Sequence, residues 1–175
     1  MEELSKAEIT LLGVVIGWVL GQGAELLRIY FKNKKLIKAL NSELIDMDVR
    51  LEKALARCIQ SIEGADNPRA TIWPSAITHP IYTEYYPEIC LNIKSDQRHS
   101  IDAIFGHMNT YNQRLADSYD PKNIKSGLLL VYVEAKWASE LIKYHFLHKG
   151  KKELTNDKKK ILEVNQCFQN LAKKI

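Results

Sequence analysis

Few side chains in this sequence are spaced as a catalytic or metal site would need. His145 and His148 lie three residues apart and could contact one metal ion from the same face of a helix. The cysteines Cys58, Cys90 and Cys167 are too far apart along the chain to form a zinc motif. There is also no glycine-rich phosphate loop and no GxSxG nucleophile motif. We therefore predict no catalytic residue, no metal and no cofactor, with both histidines on the surface of a helix.

A second polar group follows His107 and consists of Asn109, Asn112, Gln113 and Arg114. Its composition is typical of a solvated helix face, and we predict that role for it.

The net charge of +4 is too small to indicate nucleic-acid binding by itself. Widely spaced cysteines in odd number favour a reducing compartment for most of the chain.

A third set of candidates is the charged pair that ends an apolar segment. Residues Ile9–Ala24 include only two polar side chains, and Glu25 and Arg28 follow directly. As a helix this segment would extend about 24 Å, or about 35 Å if it continues to Phe31, against roughly 30 Å for the hydrocarbon core of a bilayer. Length alone leaves two alternatives open, a membrane-spanning helix and a buried core helix.

The residues that flank the apolar segment favour the membrane. The preceding MEELSKAE is acidic, and Ser5 with Glu8 matches a capping box that would begin a helix. Basic residues follow, with no acidic residue between Arg28 and Asn41: Lys32, Lys34, Lys35 and Lys38. This asymmetry is typical of a helix whose C-terminal end is cytoplasmic, and a secretory signal peptide would begin with basic residues instead. We predict one uncleaved transmembrane helix within residues 1–31 of a bacterial inner-membrane protein, its N-terminus outside, and a cytoplasmic domain over 32–175.

Small residues recur along one side of the predicted transmembrane helix. At 100° per residue one stripe contains Thr10, Gly13, Gly17, Gly21, Ala24 and Arg28, with Glu25 beside it. Because small residues let backbones approach closely in lipid, this stripe predicts self-association, and the alternative is a monomeric anchor with incidental glycines. Glu25 and Arg28 would then either line a water-holding assembly or extend their charges to the headgroups.

Helical periodicity continues beyond the membrane segment. Leucines at three- and four-residue spacing predict that the first helix continues to about Glu63, followed by an irregular segment rich in proline and glycine. The aromatic stretch IYTEYYPEICL is predicted to be interrupted at Pro87. Residues 96–116 predict another helix.

Two more helices complete the predicted fold. Asp120 and Pro121 are typical of a helix start. They precede the apolar stretch GLLLVYVEAKWASELIKYHFLH. Because charged residues interrupt this stretch, we predict that it is a core helix and not a second membrane span. Gly150 is expected to end the helix. Thr155 or Asp157 would cap a last helix ending at Ile175. No segment shows strand periodicity, so the sequence predicts an all-α bundle with a long first helix.

The layout of the whole chain resembles the membrane accessory protein of type VI-B CRISPR systems. That layout consists of an N-terminal single-pass helix with a small-residue stripe from Thr10 to Arg28, a basic joint and a small helical bundle. That family is encoded beside an RNA-guided RNA-cleaving nuclease. The resemblance covers the whole layout and implies a divergent HEPN-like bundle and a ring-like membrane pore that strengthens defence against phage. HEPN ribonucleases place an arginine four to six residues before a histidine, and Arg69, Arg98 and Arg114 have no histidine at that distance.

Three functions follow as alternatives. The first is a homo-oligomeric pore or permeabilising effector in the inner membrane, functionally coupled to an RNA-guided nuclease and binding no nucleic acid itself. The second is a membrane-anchored module whose bundle tethers a cytoplasmic partner. The third is a degenerate HEPN ribonuclease that uses His145 and His148, with Lys143 in the place of the arginine.

Overall fold

The structure is a computed structural model that describes residues 6–64, 72–117 and 123–175. These residues form five α-helices and no strand: α1 (Lys6–Glu63), α2 (Pro80–Ile89), α3 (Ser95–Asp117), α4 (Ile124–His148) and α5 (Lys158–Ala172). Short 3-10 turns, Cys90–Asn92 and Leu154–Asn156, precede α3 and α5. The all-helical prediction is confirmed for the part of the chain described. The predicted helix starts at Ser5 and at Asp120–Pro121 lie outside it.

Helix α1 is unbroken over its 58 residues, as the sequence predicted. At 1.5 Å per residue it extends about 87 Å. Its C-terminal half buries a stripe of large side chains at helical spacing, among them Leu40, Leu44, Met47 and Leu51, each no more than 1% exposed. Its N-terminal half, in contrast, has no large buried side chain among those described. One continuous helix therefore joins the bundle to a segment that the bundle does not cover.

Helix α4 is the centre of the bundle and runs antiparallel to α1, α3 and α5. Ala135 and Ala138 are fully buried, and their small side chains let neighbouring helices approach closely. Leu128 and Val131, which precede the two alanines, and Ile142, which follows them, are also buried. The prediction that this apolar helix belongs to a protein core is confirmed.

Helix α2 is fixed against α1 at its start. The Glu43 carboxylate accepts hydrogen bonds from the backbone N–H groups of Ile81 (2.8 Å) and Tyr82 (2.9 Å), two donors that no preceding helical turn can satisfy. The Tyr82 ring stacks on Phe105 of α3, with 3.6 Å between ring centroids. These contacts give a short helix the tertiary support that it needs.

The predicted interruption at Pro87 is wrong, because α2 continues through this residue to Ile89. A proline removes one helical hydrogen bond, but here only two helical residues follow it. Ile89 is fully buried, and its packing holds the last turn in place.

The irregular segment 72–79 is attached to the bundle by side chains. The Ser61 hydroxyl both donates to the carbonyl of Ile72 (2.8 Å) and accepts from its N–H (3.0 Å). Asn112 likewise pairs with both backbone groups of Ile77, at 3.0 and 2.9 Å. Asn112 is therefore partly buried and anchors a loop, which corrects its predicted place on a solvated face.

Gly150 ends α4, as predicted. Lys149 (φ 53°) and Gly150 (φ 69°) both adopt the left-handed conformation, and the Gly150 N–H donates to the carbonyl of His145 at 2.8 Å. A Cβ on Gly150 would lie 2.7 Å from Cγ and 3.1 Å from Cα of Gln97, so α3 packs directly on this glycine. Two constraints, backbone conformation and space, therefore select glycine here.

Helix α5 begins at one of the two predicted caps and ends earlier than predicted. Its cap is Asp157, whose carboxylate accepts from the N–H of Lys160 at 3.0 Å, so Thr155 is excluded. The helix ends at Ala172 and not at Ile175. The N–H of Ile175 bonds to the carbonyl of Ala172, the tighter spacing typical of a fraying last turn.

Candidate functional site

The first feature of functional interest is the exposed apolar half of α1. The large apolar side chains from Ile9 to Phe31 are between 46% and 69% exposed. This is the one helix in the described part of the chain that is long and apolar enough to cross a membrane, and none of its most apolar window is buried. An exposed apolar surface of this kind marks a site of contact with lipid or with another protein.

The six predicted stripe residues, and Glu25 beside them, lie on this half of α1. All seven are exposed: Thr10, Gly13, Gly17, Gly21, Ala24, Glu25 and Arg28. Apart from the adjoining residues and nearby backbone of its own helix, a Cβ added to any of the three glycines would meet no atom within 4 Å. Contacts within the described chain therefore do not require glycine at these positions, although each costs a helix about 1 kcal/mol relative to alanine.

Of these seven residues, the structure brings together Glu25 and Arg28. Their side chains lie 3.7 Å apart on successive turns, and both are more than half exposed. In water such a pair contributes at most about 1 kcal/mol. The hydroxyl of Thr10 instead bonds to the carbonyl of Lys6 at 2.9 Å, which satisfies a polar group on an apolar helix.

The basic residues after the apolar segment have different surroundings. Lys32 forms an ion pair with Glu88 at the end of α2, with 2.6 Å between Nζ and Oε1. Lys34, Lys35 and Lys38 are exposed and form no ion pair with any described residue. The joint between the apolar segment and the bundle therefore keeps a positive surface.

A polar network that the sequence did not indicate joins α1 to α4. The hydroxyl of Ser139 lies 2.7 Å from Asp48 Oδ1 and 3.1 Å from Glu52 Oε1. Glu52 also pairs with Lys143, and this hydrogen bond holds the pKa of the Glu52 carboxyl below its usual value. Lys143 therefore faces α1, away from the predicted ribonuclease-like site.

The network continues from α4 to α5 through Glu140. Its carboxylate is 8% exposed and accepts from Lys136 (2.7 Å) and Lys160 (2.8 Å). Burial raises the pKa of Glu140, but the two lysines outweigh burial, so the net shift is downward. Because Glu140 on α4 pairs with Lys160 on α5, this contact positions α5 on α4.

The predicted placement of both histidines on the surface is wrong for His145. Its ring is 5% exposed, and its Nδ1 lies 2.8 Å from the Ser100 hydroxyl. Burial lowers the pKa of His145. His148 is partly buried against the Tyr144 ring, with centroids 4.3 Å apart. Among the residues described, no three His, Cys, Asp or Glu side chains are grouped as a metal site would need.

An open groove lies where the start of α3, the end of α4 and the loop before α5 meet. Its two adjoining parts have volumes of about 900 and 470 Å³ and share His99, Tyr144 and Glu153. Three lysines and two aspartates line the larger part together: Lys151, Lys152, Lys158, Asp96 and Asp157. The mixed charge suits a polar partner surface better than a small apolar ligand. Sequence reasoning missed this groove because its residues come from three segments.

No protein-family model, no curated protein and no solved structure matches this chain.

Proposed function

We propose that this chain is a single-pass inner-membrane protein that self-associates through the glycine stripe of α1 and forms a pore. In this proposal the N-terminus lies outside, and the bundle is a cytoplasmic, divergent HEPN-like domain. The pore would permeabilise the membrane during antiphage defence coupled to an RNA-guided nuclease, as the resemblance to the type VI-B accessory family implies. The proposal needs no catalytic residue and no cofactor.

The observation that carries the proposal is the open space around Gly13, Gly17 and Gly21 on an exposed apolar helix. A membrane environment would cover the large side chains. It would not explain three glycines on one face of the helix, because contact with lipid is not improved by removing a side chain. Close packing against a second helix does explain them, since it brings two backbones within dispersion range.

The charged pair extends the argument from a dimer to an assembly around water. Glu25 and Arg28 lie at the cytoplasmic end of the stripe, so packing along the stripe turns them toward the other subunits. Ionised groups at that depth require a partner or water. Three or more copies around one axis would supply both, with small residues lining the upper part of the opening and the charged pair its lower end.

The test compares two identical substitutions on α1. Gly17→Ile places a branched side chain at the closest approach of the proposed packed helices, so the oligomer in detergent should dissociate to smaller species. Gly23→Ile makes the same chemical change about 120° around the helix, also in open space. This control should keep the wild-type size by light scattering and the wild-type ion flux in liposomes. Equal assembly by both variants would reject the stripe as the contact.

The groove favours a second candidate, the membrane-anchored binding module. Its mixed lysine and carboxylate lining could hold a polar segment of a cytoplasmic partner while α1 serves only as an anchor. Liposomes with intact oligomers that show no flux under any applied potential would favour this candidate. Flux that is lost with Gly17→Ile and kept with Gly23→Ile would favour the pore.

A further inference from the structure

The most exposed large apolar side chain of the described chain belongs to the bundle and not to the apolar half of α1. Leu91 is 82% exposed and lies in the 3-10 turn Cys90–Asn92, here called the Leu91 turn. On either side of it, Ile89 and Ile93 are 0% and 7% exposed. The turn is therefore fixed to the core by both neighbours, and Leu91 is held outward.

The Leu91 turn lies at the end of the bundle that faces the apolar segment. Helix α2 begins beside Glu43 of α1 and reaches Lys32 at its residue Glu88, so the two helices are antiparallel. The 3-10 turn follows α2 directly, at the end of α2 that contacts Lys32. Leu91, three residues after Glu88, thus comes to the level where the apolar segment of α1 ends.

The side chains at this level are those of a membrane interface. Tyr30 and Phe31 of α1 are 59% and 54% exposed, and aromatic rings are enriched where lipid tails meet headgroups. Lys94 follows the Leu91 turn and, like Lys34 and Lys35, is exposed and forms no ion pair with a described residue. At a membrane surface, an apolar side chain can contact the acyl chains, and lysines at the same level can contact the anionic headgroups above them.

We propose that the Leu91 turn is a second membrane contact: Leu91 inserts among the lipids of the cytoplasmic leaflet, and Lys94 with the lysines of the joint binds anionic headgroups. This inference rests on the proposed spanning of α1 but not on pore formation. With two contacts, the bundle has a fixed tilt on the membrane. Every copy then presents the same side to its neighbours.

A fluorescent label that lipid-borne nitroxide quenches tests the contact. The full chain carries Leu91→Cys with Cys90→Ser and Cys167→Ser. Cys58 remains, because it is fully buried and burial raises its thiol pKa to about 12. The vesicles contain phosphatidylcholine and phosphatidylglycerol, with nitroxide near the top of some acyl chains.

Two further labelled positions are the controls. Val14→Cys reports on the apolar segment of α1, and Leu162→Cys on an exposed leucine of α5. Leu162 is near Lys160, which pairs with Glu140 of α4. Glu140 lies at the level of Asp48 and Glu52 of α1. This level is about 25 Å beyond Lys32 along α1. We expect quenching at 91 and 14 and none at 162. Lys94→Glu should reduce the quenching at 91 in vesicles with phosphatidylglycerol, whereas Lys53→Glu in the middle of α1 should not.

The other outcomes are distinct. Quenching at 14 with none at 91 would overturn the Leu91 contact and leave the spanning helix in place. A label at 91 that is shielded from a water-soluble quencher but not quenched by lipid would show that a second copy covers the turn, which also rejects the contact. Absence of quenching at 14 would overturn the spanning helix itself.

Discussion

At the residue scale, His145 links the packing of the bundle to pH. Burial lowers its pKa from the usual value of 6.5, so the unfolded chain binds a proton that the folded chain does not. Stability is therefore fully present above pH 6.5 and falls as the pH is lowered through that value. We expect the melting temperature of the full chain in detergent, followed by circular dichroism, to be lower at pH 5.5 than at pH 7.5.

The matched variants are His145→Gln and His148→Gln. Glutamine at 145 can keep a hydrogen bond to Ser100 but takes up no proton, so the difference between the two pH values should shrink. His148→Gln should keep the difference seen with the wild-type chain. The same loss of stability on acidification in both variants would assign the effect to other groups.

Gly150 gives a second residue-scale prediction, with Gly106 as its control. Gly150→Ala introduces a Cβ at φ 69°, 3.1 Å from the Gln97 backbone, and should lower the free energy of unfolding by about 1–3 kcal/mol. Gly106 lies inside α3, where an added Cβ would meet no atom within 4 Å, so Gly106→Ala should raise the free energy of unfolding by about 0.5–1 kcal/mol. Denaturant titration measures both, and destabilisation of equal size by the two variants would contradict the argument.

At the element scale, helix α2 depends on one carboxylate of another helix. Glu43→Ala would leave the N–H groups of Ile81 and Tyr82 without their acceptor, and we expect a loss of about 1–3 kcal/mol in the free energy of unfolding. Asp46→Ala, three residues further along the same helix and exposed, should change it by less than about 0.5 kcal/mol. Hydrogen exchange should also show faster exchange in α2 for Glu43→Ala alone. Equal exchange in both variants would show that ring stacking, and not Glu43, holds α2.

The elements also show what periodicity can and cannot predict. The leucine spacing of α1 and the apolar core of α4 predicted both helices, because each buries a stripe wide enough to appear in the sequence. The path of the chain through Pro87 was not predictable, since it depends on the burial of Ile89 by other helices. His145 was misplaced for the same reason: its partner, Ser100, comes from 45 residues away.

At the scale of the whole molecule, α1 makes the apolar segment and the bundle one mechanical unit. The helix has no break between them, and Lys32 at the joint is paired with Glu88 of α2. A rotation of the bundle would therefore turn the stripe residues by the same angle. The stripe itself was predicted from sequence, because helical spacing alone places its members on one face. The groove and the Leu91 turn were not, because each depends on how separate helices pack.

The charged pair gives the last prediction, which concerns the assembled protein. Glu25 and Arg28 lie one turn apart, so rings of carboxylates and guanidiniums in a pore would nearly cancel and the wild-type chain should select weakly between ions. Glu25→Gln leaves Arg28 without its counter-charge and should shift the reversal potential in liposomes toward anion selectivity under a KCl gradient. Arg28→Gln should shift it toward cations, because Glu25 then dominates. Opposite shifts from two neighbouring neutralisations would place both side chains at the narrow part of the conducting path. Unchanged reversal potentials in both variants, with flux intact, would place the ion path away from the stripe.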